Sequence, residues 1–264
     1  MADYDDHLFF SLFNQNMFEE FARNKDIISE KGFELGEEEY PEIQHQISLR
    51  GWKRLTSPRT KVKVLMIKEF FANAARTQEE LDEEEQHPLT SFVRGVEVDF
   101  SAANIKRVMK FKDNTPGAEM DYNTRQPPQP IQLRRKELQP LARGWLELII
   151  HNIHLSSNRS EVTVTRVILI HSILKGEDVC VEELISARIV NIAQNLNLKG
   201  KLGFPSLIYK LCKDAGVTFG EYKGTPNIDK ESSITAKVME TVRGGAVPIM
   251  RRYQEEEGDH NEGQ

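Results

Sequence analysis

The sequence predicts a mainly α-helical fold: a helical bundle-like domain with one short β-hairpin. Three observations predict it. Apolar residues recur at the i, i+3, i+4 spacing of a helix through most of the chain. One stretch, residues 92–100, alternates at the two-residue period of a strand. Pro and Gly stand where helices would start and stop, as at Pro41, Gly51, Gly176, Pro205 and Gly216.

The elements follow in order. Residues 1–13 read as a flexible lead-in. Asn14 is the expected N-cap of a short helix with Met17, Phe18 and Phe21. Pro41 opens a second helix, with Ile43 and Ile47 on one face and Gly51 as its stop. Trp52 and Leu55 then lead to Pro58. Residues 60–75 give the strongest helix of this half. Val62, Leu65, Met66 and Phe70 form one stripe and Val64, Ile67 and Phe71 a second, so burial on most sides is expected. The run EELDEEE at 79–85 ends it, because charges this dense repel one another and favour an acidic loop over 77–90.

The hairpin reading rests on Phe92, Val93, a turn at Arg94-Gly95, and then Val96, Val98 and Phe100 on one face with Glu97 and Asp99 on the other. Ser101 suits the N-cap of a helix over 102–109. Residues 112–136 hold Pro116, Gly117, Pro127, Pro128 and Pro130 with few apolar residues, which predicts a long loop. The second half reads as four helices, Leu138–Leu155, Ser160–Lys175, Val181–Asn195 and Pro205–Ala215. The third from the end, apolar over 162–174, is expected at the centre, with a buried strand over 162–170 as its alternative. The domain therefore spans 14–219. Residues 220–264 read as a weakly ordered, acidic-ended tail with a short helix over 230–243.

The chain has 264 residues, 39% hydrophobic and 29% charged, enough apolar material for a real core. Its net charge of −6 hides an asymmetry. Residues 1–100 hold 12 Lys/Arg against 21 Asp/Glu, whereas residues 101–253 hold 23 against 15. A basic body of this kind can meet a phosphate backbone. Cys180 and Cys212 lie in helical patterns without metal-ligand spacing and read as buried thiols of a reduced, intracellular protein. The acidic start (Asp3, Asp5, Asp6) does not read as a secretory signal, and no apolar run reaches the length of a membrane span.

Five blocks carry a family resemblance: RGW at 50–52, VKVLMIKEFFAN at 62–73, VRGVEVDFSAANIKRVM at 93–109, RGWLELIIHNIHLSSNRSEVTVTRVILIHSIL at 143–174 and FPSLIYKLCKDAGV at 204–217. Together they resemble the plant family called the putative plant transposon protein domain, over residues from about Gly32 to Val217. The resemblance implies an origin in plant transposable elements. It implies no catalytic residues, cofactor or metal that could be carried over to this chain.

A transposase of the carboxylate type needs three acids on a sheet to hold two metal ions. Asp99 at a strand end, with Glu97 beside it, is the first candidate. The later acids Glu147, Glu161 and Glu182 fall on helices, and the sheet is missing. His151, His154 and His171 could form a metal set, though partly buried polar roles are commoner for such residues. Lys199 and Lys201 precede a helix N-terminus where an anion could sit. Trp52 and Trp145, each in an RGW triplet, read as core anchors. The candidate nucleic-acid contacts are Lys106, Arg107, Lys110, Lys112, Arg134, Arg135 and Lys136. With no complete catalytic motif, the sequence favours a non-enzymatic module acting through protein contacts or self-association. Nucleic-acid binding and a metal-dependent nuclease are the alternatives.

Overall fold

The computed structural model describes residues 4–36, 38–58, 61–82, 88–112, 133–155, 161–220 and 233–241. Helices dominate these residues, as the periodicity predicts. Helix α1 (Leu12–Glu20) begins after Ser11, whose hydroxyl accepts from the Asn14 N–H. Asn14 is thus not the cap. Its side chain is buried and donates to the carbonyls of Ala72 and Ala75. The lead-in is also tied down: Phe9 is buried, and Asn73 donates to Leu8 O and accepts from the Phe10 N–H.

Helix α2 (Pro41–Leu49) runs into Gly51, whose φ of +68° turns the chain into the 3-10 turn Trp52–Arg54. Helix α3 (Val64–Ala74) buries eight of its eleven residues. Two of those are polar and both are engaged. Glu69 accepts from the Arg94 N–H at 2.8 Å, and Asn73 donates to Phe92 O at 2.7 Å. Part of the acidic run is helical rather than loop. Helix α4 (Gln78–Asp82) starts with a reciprocal cap, in which Thr77 N–H donates to Glu80 and Glu80 N–H donates to the Thr77 hydroxyl. Residues 83–87 of that run lie outside the described residues.

Strands β1 (Thr90–Val93) and β2 (Val96–Asp99) pair antiparallel, with Val93 opposite Val96. Arg94 and Gly95 both take positive φ, 49° and 75°, as a tight turn matched to strand twist requires. The outer carbonyls of β1 are covered: Arg76 donates to Thr90 O and Asn73 to Phe92 O. Ser101 caps helix α5 (Ala102–Met109) as expected. Of the Pro-rich loop 112–136, residues 113–132 lie outside the described residues. The loop's last residues form β3 (Leu133–Arg134), which pairs with β4 (Glu161–Val162) in a two-residue ladder that the sequence reading did not anticipate.

Helix α6 (Pro140–Leu148) continues as a π-helical turn, Ile149–Ile153, and every residue from Ala142 to Ile153 is buried. This element, rather than helix α7 (Val164–Lys175), is the central one. Leu169, Ile170 and Ile173 of α7 are buried, but His171 and Leu174 are exposed. Apolar composition misled here: a β-branched helix can lie at the edge of a core when only one face is covered. The helix begins at Val164 because Glu161 and Val162 belong to β4. Helices α8 (Val181–Ala193) and α9 (Pro205–Asp214) follow as expected. The short helix α10 (Ala236–Glu240) falls within the expected tail but is docked, with Ile234 and Met239 wholly buried. Residues 221–232 and 242–264 lie outside the described residues.

One apolar core joins these elements, from Met17 to Met239. At its heart Trp52 and Trp145 meet edge-to-face at 6.3 Å, and Phe33 meets Trp145 at 6.0 Å. Parallel bridges Ile27↔Leu202 and Phe33↔Ile234 lay residues 27–33 between the approach to α9 and the α10 segment. Among the described residues no helix is long and apolar enough to cross a membrane.

A Cβ at Gly51 would stand 2.7 Å from Lys110 O, whereas one at Gly216, also at positive φ, would meet nothing within 4 Å. Gly51→Ala is therefore expected to cost at least about 2 kcal/mol, and Gly216→Ala about 1 kcal/mol, in urea unfolding. A second test concerns Glu147, buried beside Arg135 at 3.0 Å and His151 at 3.5 Å. Burial alone would raise its pKa, but the His151 hydrogen bond and the Arg135 charge outweigh it and hold the carboxyl below its ordinary value. A depressed acid stabilises the fold above its unfolded pKa and loses that effect as pH falls through the folded one. Glu147→Gln should thus cost about 3 kcal/mol at neutral pH. Its deficit relative to the parent protein should close as pH is lowered below about 4.

Candidate nucleic-acid interface

The end of α5 is drawn against the first RGW triplet. Lys112 N–H donates to Arg50 O at 3.1 Å, and Lys112 Nζ donates to Ser48 O at 2.9 Å. From the 3-10 turn, Arg54 donates to Val108 O on α5, and Lys210 Nζ on α9 donates to Arg54 O at 3.0 Å. These bonds bring the 3-10 turn, the C-terminal end of α5 and the outer face of α9 together. Lys110 ends α5 in the left-handed conformation, so its side chain leaves the helix axis at the junction.

Two cavities open at this junction and share Arg54 and Lys110 in their walls. One, of about 740 Å³, also takes in Lys53 and Lys112 over Phe33, Leu35, Ile47 and Met109. The other, of about 630 Å³, takes in Arg107, Lys210, Lys213, Tyr209 and Asp214. Among the described residues, seven cationic side chains thus line the two adjoining cavities, which together form one groove, against a single carboxylate. That carboxylate, Asp214, is matched by Arg107, which hydrogen-bonds it at 3.2 Å and holds its pKa below the ordinary value. Burial lowers the pKa of Lys210, the charge of Glu30 opposes this, and Arg54 adds to the lowering. Lys53, Arg54, Lys110, Lys112 and Lys213 are exposed.

The structure divides the basic residues singled out from sequence. Arg107, Lys110 and Lys112 join the groove. Lys106 turns to α8 and pairs with Glu182 at 3.7 Å. Arg134, Arg135 and Lys136 lie instead on β3 and the 3-10 turn after it, where Arg135 reaches Glu147. Sequence reasoning missed Lys53, Arg54, Lys210 and Lys213. One local signal was available: Lys210 and Lys213 are three residues apart and so share a helix face. Their approach to Arg54 is a long-range event with no sequence mark.

The other candidates have structural roles. Asp99 accepts from the Ser101 N–H at 2.7 Å, and its carbonyl accepts from Asn104, so it fixes the start of α5. Glu97 is exposed on β2. Glu147 and Glu182 sit against cations on separate helices, and Glu161 lies on β4 rather than on a helix. His151 is buried against Glu147, and His154 is half-buried, its pKa lowered by burial and by Arg188 and Arg166. His171 is exposed on α7. No three His, Cys, Asp or Glu side chains converge as a metal set among the described residues. The α9 N-terminus, where an anion could sit, is occupied by a protein carboxylate: Glu30 accepts from the Ser206 and Leu207 N–H groups at 3.0 and 2.9 Å. Lys201 is 3.8 Å from Asp26. Cys212 is buried and its thiol pKa is pushed up, but Cys180 is exposed just before α8, not buried as expected.

No curated protein and no solved structure matches this chain. A family model does, that of the Putative plant retrotransposon-related domain, over residues 48–218. The matched stretch contains the 3-10 turn, the hairpin, α5 and α9, and so every cation of the groove. The chain belongs to this family and is a plant transposon-derived protein domain.

Proposed function

We propose that this domain is a non-enzymatic nucleic-acid-binding module that holds a phosphate backbone along the groove between the 3-10 turn, α5 and α9. The observation that supports it is the gathering, among the described residues, of seven cations from three separate elements around two adjoining cavities with a single, already matched carboxylate. Like charges brought this close repel one another, and a polyanion relieves the repulsion while releasing its own counterions. The assembly reading drew on the apolar helix faces, and in the fold those faces pack mainly on one another. The nuclease reading drew on Asp99, whose carboxylate orders the start of α5. The groove is therefore the better-supported surface.

The test is fluorescence anisotropy with labelled oligonucleotides across a salt series. Affinity should fall steeply with salt, with a log–log slope of about −3 or steeper. Reversing Lys53, Lys110 and Lys213 to Glu should weaken binding more than about tenfold and flatten that slope by about one per lost phosphate contact. Reversing Arg134 and Lys136 instead should change affinity by less than about twofold. No binding at low salt, or equal loss from both sets, would sink the proposal.

A further inference from the structure

Resting on that reading, we infer that the groove takes a single strand rather than a duplex, with an unpaired base seated on the apolar floor of the larger cavity. The lining of the cavity has two characters: Lys53, Arg54, Lys110 and Lys112 are cationic, while Phe33, Leu35, Ile47 and the largely covered Met109 are apolar. Phe33, Leu35 and Ile47 are only partly buried although they pack against the core. The floor is held from behind: Phe33 abuts Trp145, its N–H donates to Thr56 O at 3.0 Å, and it bridges Ile234.

A duplex does not suit such a cavity. It stacks its bases inward and offers a surface phosphates, sugars and base edges but no base face, so an apolar floor that takes a whole base would stay empty. An unpaired strand turns bases to one side and phosphates to the other, which matches a lining of two characters. The volume of about 740 Å³ also lies in the range of pockets that enclose small organic groups. In the neighbouring cavity Tyr209 stands beside Lys210 and Lys213, and its ring stacks on that of Phe219 at 4.7 Å.

The full chain is titrated with labelled oligo(U) and oligo(dT) 15-mers and with a 15-base-pair duplex at matched salt; UMP is the free-nucleotide competitor. Single strands should bind about tenfold or more tighter than the duplex, since stacking adds to the phosphate contacts. Leu35→Gln and Ile47→Gln should reduce that preference and leave the salt slope unchanged, with the fold checked by circular dichroism. Ultraviolet crosslinking of a 4-thiouridine strand to the unaltered protein gives a readout independent of those variants, and adducts should map to the segments around Phe33 or Met109. Equal affinity for duplex and single strand, or crosslinks confined to other segments, overturns the inference while leaving nucleic-acid binding standing. Competition by UMP as strong, mole for mole, as by the 15-mer would assign the floor to a free nucleotide and also overturn it. Failure of every probe to bind would remove the groove's nucleic-acid reading itself.

Discussion

The contact between Trp52 and Trp145 organises this molecule. Each tryptophan is the third residue of an RGW triplet, and the two rings meet edge-to-face, a geometry that sets the positive edge of one π system on the negative face of the other. The surrounding residues of both triplets are arranged to permit it. Gly51 takes a backbone conformation closed to most side chains and leaves room for Lys110 O. Gly144 leaves room for Met239, so that α10 can lie on α6. Arg50 sits 5.2 Å over the Trp52 ring and donates to Glu177 O beyond α7. The turn that seats Trp52 is also the turn that presents Lys53 and Arg54, so the groove inherits its shape from the core.

Buried acids do a comparable job. Glu30 closes the first turn of α9, Glu69 holds the hairpin turn at Arg94, and Glu147 lies between Arg135 and His151. Each meets backbone N–H groups or cations, which is what a carboxylate needs in order to remain inside a protein. The consequence for the surface is indirect. Glu30 and Glu69 neutralise a helix end and a turn within the fold, while Arg107, Lys110 and Lys112, the α9 lysines and the cations of the 3-10 turn line the groove together.

Much of this was legible in the sequence. Helical periodicity located α3, α6, α8 and α9, and alternation with Arg94-Gly95 located the hairpin and its turn. The features that were not legible share a cause: they depend on partners far along the chain. Asn14 has the chemistry of a cap, but the carbonyls of Ala72 and Ala75 claim its amide. The N-terminus of α9 looks like an anion site until Glu30 arrives from more than 170 residues away. Helix α7 is apolar enough to be central, yet the π-helical turn after α6 places Asn152 inward, where it bonds both Lys31 and Leu55, and gives α6 that place. The basic groove follows the same rule. Three of its cations stood in the run around α5, and the rest became neighbours only through folding.

The bridges Ile27↔Leu202 and Phe33↔Ile234 separate two meanings of the word domain. The stretch that matches the family, residues 48–218, and the set of residues that closes the core differ in extent. Phe33, Glu30, Ile43 and Met239 come from outside the matched stretch, and each fills a position against it that would otherwise face water. The matched stretch alone thus leaves part of its apolar surface uncovered, and residues on both of its flanks complete the core.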